Sequence, residues 1–289
     1  MRTPLILMVL LATAGSAAAF DGSIKLRTMA VSTDQLAAAN GGKAPDAAAT
    51  LKLMPEALLK DAKPDVKEST VYVSGKKVRM DAPLEGNRAG YAIIDLDKGL
   101  TWFVVPAEKR YIEWSEADAT AMADKMKQLR KMMEERMAKM PPDQRTQMEA
   151  MMKTMGPPDG EAKAAPITTK ALDRSEMING MKATAYEAVD GDATVIGWVT
   201  QDRPGLDKTL REVSERMEQM TPASMRKDTV RKALQGKGLP VLVQTLQGGR
   251  YRIEEVVSVE EKPVPADLFV VPADFARTTG RDALKGMPQ

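Results

Sequence analysis

The stretch YAIIDLDKGLTWFVVPAEKRYIEW, residues 91–114, decides the fold. It holds three runs rich in β-branched and aromatic residues, separated by Asp97-Lys98-Gly99 and then by Pro106-Ala107-Glu108-Lys109. Such runs predict strands, and turns this short join strands that are antiparallel neighbours. The same pattern continues in both directions along the chain. It predicts about eleven strands, mostly joined by tight turns, and hence an α+β protein built on an antiparallel meander.

Both faces of the predicted strands at 90–96 and 100–105 are apolar. Tyr91, Ile93, Trp102 and Val104 point to one face, and the apolar residues between them point to the other, because successive side chains of a strand alternate. A sheet with one face in water would alternate apolar with polar residues. Both faces therefore need cover, either from the chain's own elements or, on one side, from a ligand.

Two helical insertions interrupt the strands. The first covers residues 115–155 and begins at Ser115, with Asp118 at the reciprocal position of a capping-box variant. The second covers residues 206–235, and its apolar residues recur every three or four positions from Leu206, which is typical of an amphipathic helix. Residues 276–289 show no periodicity and are predicted to be a flexible tail.

The first nineteen residues have the pattern of a secretory signal peptide. Arg2 is followed by an apolar core and by small residues that offer a cleavage site before Phe20. A membrane span needs about 20 apolar residues, and this core is about half that length, so we expect no stable membrane anchor. The pattern predicts export to the periplasm and a single mature domain over residues 20–275.

Composition restricts the chemistry. The chain contains no Cys and no His, which excludes disulfides, thiol chemistry and hydrolases of the Ser-His-Asp or Cys-His type. It also lacks the usual ligand of zinc and iron. The charge is nearly balanced, with 42 basic and 40 acidic residues, which gives no indication of nucleic acid binding. We expect a protein that is not an enzyme and has no cofactor.

Methionines dominate the first insertion. Met122, Met126, Met133, Met137 and Met140 fall on one side of a helix. Three interpretations remain open: a core stripe in which Met replaces Leu, a flexible lid or docking surface for apolar ligands or partner proteins, and a Cu(I) site. The copper interpretation uses Met122, Met126, Met133 and Met137, whose thioethers are soft ligands.

Six stretches carry a resemblance to a known family: VYVSGKKVRMDAP (71–83), the stretch at 91–114, MINGMKATAYEAV (177–189), GWVTQD (197–202), GLPVLVQT (238–245) and VPADLFVVP (264–272). Together they resemble an uncharacterised family of bacterial periplasmic proteins, a domain of unknown function, which is itself similar to the LolA-like lipoprotein carriers. The resemblance implies an incomplete β-barrel, a half-barrel of about eleven strands whose apolar concave face is covered by helices. Such a fold suits the binding of a lipid or of a lipoprotein acyl chain. The first insertion of this chain is longer and richer in methionine than that of the best-known carriers, so the carriers' substrate is not carried over.

The sequence thus predicts a periplasmic binding protein for an apolar ligand. The candidate ligand-binding residues are those of the apolar face: Tyr91, Ile93, Trp102, Val104, Tyr111 and Trp198. A copper-binding or envelope-stress protein and a structural or chaperone-like protein, which binds a polypeptide through the methionine helix, are the alternatives.

Overall fold

The strand-forming runs of the sequence pair into a single large sheet. A computed structural model describes residues 20–39, 42, 51, 54–59, 62–84, 88–138, 167–190, 193–219, 233–234, 236–247 and 249–285. The predicted signal peptide (1–19), Met140 and the second half of the first insertion lie outside these residues. The strands are β1 Gly22–Ser32, β2 Asp65–Ser74, β3 Lys77–Leu84, β4 Arg88–Asp95, β5 Leu100–Val105, β6 Arg110–Ser115, β7 Thr168–Ile178, β8 Met181–Asp190, β9 Ala193–Thr200, β10 Leu239–Gln247, β11 Arg250–Glu260 and β12 Ala276–Thr279.

The sheet is open and almost entirely antiparallel. Its twelve strands follow the order β12-β6-β5-β4-β3-β2-β1-β11-β10-β9-β8-β7, and β12 and β7 form the two ends. Only the pairing of β12 with β6 is parallel. The predicted α+β half-barrel is therefore confirmed. Each of the eleven predicted strands corresponds to one of β1 to β11, and the sheet has one strand more than predicted.

Tight turns fix the register of the hairpins. In the turn after β4, the buried carboxylate of Asp95 accepts a hydrogen bond from the backbone nitrogen of Lys98 at 3.0 Å. In the turn between β7 and β8, Asn179 and Gly180 have φ angles of 48° and 79°. Left-handed backbone at both central residues is typical of the hairpin turn that matches strand twist, and Asn-Gly is the pair that adopts it most readily.

The structure contains two regular elements within the predicted flexible tail. Ala276–Thr279 forms β12, and Gly280–Lys285 forms a short helix. A Cβ on Gly280 would lie 2.6 Å from Trp114 Cε3 and 2.9 Å from Asp118 Cβ, so glycine is needed for the close approach of this helix to β6. The strand was missed because four residues are too few to show an alternating pattern.

Five α-helices accompany the sheet within the described residues: α1 Thr33–Ala39, α2 Pro55–Leu59, α3 Glu116–Ala138, α4 Pro204–Gln219 and α5 Gly280–Lys285. The two longest, α3 and α4, follow β6 and β9, as predicted for the two insertions. At the start of α3, Ser115 and Asp118 form the predicted reciprocal cap, because the Asp118 carboxylate accepts from the Ser115 nitrogen at 2.9 Å. No helix among the described residues is both long and apolar enough to cross a membrane.

Helix α4 lies across several strands of the sheet. Arg203, just before the helix, pairs with Glu261 after β11 at 2.8 Å, and Arg216 in its last turn lies 3.4 Å from Glu116 after β6. Between these two anchors, Leu206 and Val213 of α4 join the main apolar core, which also contains residues from both halves of the sheet: Ile24, Val71, Val73, Val78, Ile94, Trp198, Leu242, Tyr251 and Ile253. A smaller cluster contains Ala188, Val195 and Ala233.

Candidate functional site

Strand register brings five of the six predicted ligand-binding residues together. Ile93 pairs with Trp102 across β4 and β5, and Val104 pairs with Tyr91 on one side and with Tyr111 on the other. Directly paired residues of neighbouring strands point to the same face. The five side chains therefore form one continuous patch on β4, β5 and β6.

The centre of this patch is closed in the structure, whereas Tyr91, Trp102 and Tyr111 around it are half-buried. Ile93 and Val104 have no exposed surface. The guanidinium of Arg79 on β3 lies 3.7 Å from the centre of the Tyr91 ring and donates a hydrogen bond to the carbonyl oxygen of Leu268 at 3.1 Å. Leu268 belongs to the short 3-10 helix Ala266–Phe269, which packs against β3. In this conformation Ile93 and Val104 have no surface that a ligand could contact.

The aromatic groups at the margin of the patch are already held by polar partners. Trp102 donates from Nε1 to the Glu113 carboxylate at 3.0 Å. The phenol of Tyr91 is partly buried, and this burial raises its pKa although the positive charge of Arg79 acts in the opposite direction. These contacts stabilise the closed patch and place cationic and anionic groups around it.

Trp198 lies elsewhere. It is on β9, is 1% exposed and belongs to the main core. The guanidinium of Arg174 on β7 lies 4.8 Å from the centre of its ring. The structure therefore does not place this residue with the other five.

The opposite face of the same strands is only partly covered. On this face Val78 pairs with Ile94 and Ile94 pairs with Thr101, and all three are at most 2% exposed. Since Val78 and Ile94 share the core with Leu206 and Val213 of α4, we name this side the helix face.

Next to this line, two residues away on each strand, the helix face has side chains that are more exposed. Met80 pairs with Ala92, Ala92 with Phe103 and Phe103 with Ile112, in one line across β3 to β6. Met80 is 37% exposed, and the other three are half-buried. We name these four residues the apolar row. The alternation of the sequence shows that they share a face, but it does not show that this face is the open one.

The methionines of α3 are also partly exposed. Met122, Met126, Met133 and Met137 are all half-buried, and the neighbouring Met132 is 53% exposed. None of the five belongs to either apolar core cluster. A partly exposed thioether surface fits a lid or docking face, and it leaves the Cu(I) interpretation open.

Two further features do not add a chemical site. A cleft of about 370 Å³ lies where α4 begins, lined among others by Phe20, Asp202 and Glu261, but its walls carry both signs of charge and Arg203 is already paired there. Within the part of the chain that the structure describes, no group of three or more Asp and Glu side chains is placed to hold a metal ion.

Comparison with known proteins gives a family but no activity. Two structures of PNGF-II, in space groups C2 and P21, are similar over 91% and 89% of this chain, with 12% and 11% identity and TM-scores of 0.35 and 0.34. The chain spans about a third of the length of those proteins, 32% and 31%. Among curated proteins there is no match. The family model described as "Domain of unknown function (DUF4412)" matches residues 95–275, which is most of the sheet together with both helical insertions, and the chain therefore belongs to this family.

Proposed function

We propose that this protein is a non-enzymatic binding protein of the bacterial periplasm, and that it holds an apolar ligand of the acyl-chain type along the apolar row. The observation that carries the proposal is the half-open line Met80, Ala92, Phe103 and Ile112 beside a closed core. The signal-peptide pattern and the resemblance to LolA-like carriers support the compartment and the ligand class. The absence of His and Cys from the sequence supports a role without catalysis.

The shape of the row suits a chain better than a compact molecule. Neighbouring strands are about 4.8 Å apart, so four strands give a line of about 14 Å between the outer side chains. All four side chains lack charge and hydrogen-bonding groups. Each CH₂ group removed from water contributes about 0.8 kcal/mol, so several of them laid along the row would give useful affinity without any polar contact.

A charge in the row provides the test. Met80→Asp places a carboxylate at the most exposed member of the row, where the substitution leaves the closed core untouched. Met177→Asp is the matched control, because Met177 is 65% exposed on β7, at the other end of the sheet. We expect the affinity for a fluorescent fatty acid to fall at least tenfold in Met80→Asp and to stay unchanged in Met177→Asp.

Native mass spectrometry supplies an independent measurement. Protein purified from a bacterial envelope should carry a bound lipid or acyl chain, and Met80→Asp should carry less of it. If the wild-type chain binds no fatty acid and is reproducibly free of lipid, the carrier function is wrong.

A docking function for α3 is the second candidate. Its support is the partly exposed methionine side of the helix, where Met132 is 53% exposed, since methionine adapts to partner surfaces of irregular shape. Crosslinking from Met132 in cells is the appropriate experiment. A single recurrent polypeptide would support the docking function, and random capture would contradict it.

A further inference from the structure

The inner side of β8 to β11 contains fully buried polar side chains among apolar ones. Tyr251 on β11 and Gln244 on β10 have no exposed surface, and the phenol donates a hydrogen bond to the Gln244 Oε1 atom at 2.6 Å. Trp198 on β9 is 1% exposed. Two donor atoms in this group, Trp198 Nε1 and Gln244 Nε2, have no hydrogen-bond partner among the described residues.

The register places these two donors close to each other. Trp198 pairs with Leu242, and Gln244 pairs with Ile196. Trp198 and Gln244 are therefore diagonal neighbours on the same face of adjacent strands, with backbones about 7–8 Å apart, which is within reach of long side chains. Gln244 and Tyr251 have the same diagonal relation across β10 and β11, since Gln244 pairs with Ile253 and Tyr251 with Leu246, and these two side chains do meet.

Small residues lie beside the indole. The residue paired with Trp198 on its other side is Ala185 of β8, and Ala183 lies two residues further along the same face. Both alanines are at most 1% exposed. On this side, therefore, no polar side chain of β8 is directly paired with the indole.

We propose that Trp198, Gln244 and Tyr251 bind one internal water molecule. The water accepts hydrogen bonds from Trp198 Nε1 and from Gln244 Nε2, and it donates one to a free lone pair of the Tyr251 oxygen. Three hydrogen bonds are the usual number for a buried water, and such waters occupy polar sites that the protein cannot satisfy by itself. Larger ligands are excluded by the near-complete burial of all three side chains.

The water is required whichever way the Gln244 amide is turned. If Nε2 donates to the Tyr251 oxygen, then Oε1 points to the same place and accepts from the water instead. In both orientations Trp198 Nε1 still needs an acceptor, and a buried donor without one is strongly disfavoured. The site does not depend on the apolar row or on the carrier function.

A crystal structure at a resolution that shows ordered water tests the proposal directly. We expect a density peak about 2.7–3.2 Å from both Trp198 Nε1 and the Gln244 amide. An empty position, or a protein atom bonded to both donors, would overturn it.

Oxygen-17 magnetic relaxation dispersion tests the same site in solution. Trp198→Phe should lose one long-lived internal water relative to the wild-type protein. Trp102→Phe is the matched control, because Trp102 Nε1 is already bonded to Glu113, and it should lose none. An unchanged signal in a folded Trp198→Phe variant would contradict the proposal, and if that variant does not fold, the crystal structure of the wild-type protein decides.

Discussion

Removing one hydroxyl group, in Tyr251→Phe, should destabilise this protein at neutral pH, and this destabilisation should disappear at alkaline pH. Tyr251 has no exposed surface, and its phenol donates to Gln244 Oε1 at 2.6 Å. Loss of the hydroxyl leaves that buried oxygen without this donor, which costs about 1–3 kcal/mol. For a chain of this size, each kcal/mol lowers the melting temperature by about 2–4 °C. At pH 7 we therefore expect a clearly less stable variant.

The alkaline effect comes from the pKa of the same phenol. Burial raises the pKa of Tyr251 well above its ordinary value. Above about pH 10 the unfolded chain releases the phenol proton and the folded chain keeps it, so the free energy of unfolding of the wild-type protein falls by about 1.4 kcal/mol per pH unit. The variant has no proton to lose at this position. The stability difference should therefore shrink with rising pH and close between about pH 11 and 12.

Urea unfolding at several pH values, followed by tryptophan fluorescence, measures this directly. Tyr72→Phe, on β2 and only half-buried, serves as the control and should lose much less stability than Tyr251→Phe at pH 7. If the free energies of the wild-type protein and Tyr251→Phe decrease in parallel above pH 10, the argument from burial of the phenol is wrong.

Three other variants test the remaining parts of the structure. Met80→Ala should weaken binding of a fatty acid about three- to sixfold. Full burial of a methionine side chain contributes about 1.5–3 kcal/mol, and a ligand would cover the 37% of it that is exposed. Equal affinity would show that the ligand does not contact Met80. Gly280→Val should release α5 from β6, because the added atoms would overlap Trp114 and Asp118. We expect faster amide hydrogen exchange confined to residues 276–285 and β6, and unchanged exchange would contradict this packing. Leucine at four positions of α3 separates the two interpretations of that helix, because leucine keeps the apolar stripe and removes the thioethers: copper binding predicts at least a tenfold loss of Cu(I) affinity, and a lid or docking face predicts none. The four positions are Met122, Met126, Met133 and Met137.

The sequence predicts the strands of this fold well because each of β1 to β11 is long enough to alternate and is bounded by residues typical of turns. The Asn179-Gly180 pair and Asp97-Lys98-Gly99 each mark a hairpin that the structure contains. The twelfth strand is not predicted from the sequence because it has only four residues and pairs with β6 in parallel. The helix that follows it packs closely on β6 where Gly280 meets Trp114, and these two residues are too distant in sequence for a local pattern to show their proximity.

The candidate site shows a different limit. Alternation in β4 and β5 correctly indicates two apolar faces, and it places Tyr91, Ile93, Trp102 and Val104 together. It does not indicate which face is closed by the chain, because the closing contact joins Arg79 to Leu268, 189 residues away. Interactions at such separation determine exposure, and exposure determines where a ligand can bind.

The dimensions of the helix and the strands explain why the helix face is closed along one line of side chains and half-open along the next. A helix with its side chains is about 10 Å wide, whereas successive side chains on one face of a strand are about 6.6 Å apart. A single helix that crosses the strands therefore covers one line of side chains and part of the next.

Helix α4 crosses between its anchors at Glu261 and Glu116. The line Val78, Ile94 and Thr101 is closed, while the apolar row beside it is half-open. A second apolar layer is needed to cover that row. The two candidates are an acyl chain and α3, which begins at the end of β6 and has partly exposed methionines. If α3 is a lid, replacing its apolar methionine side chains by polar ones should increase access to the row. A variant with serine at Met122, Met126, Met133 and Met137 should therefore bind a fatty acid faster than the wild-type protein. Met80→Asp should weaken binding at least tenfold both in this variant and in the wild-type protein.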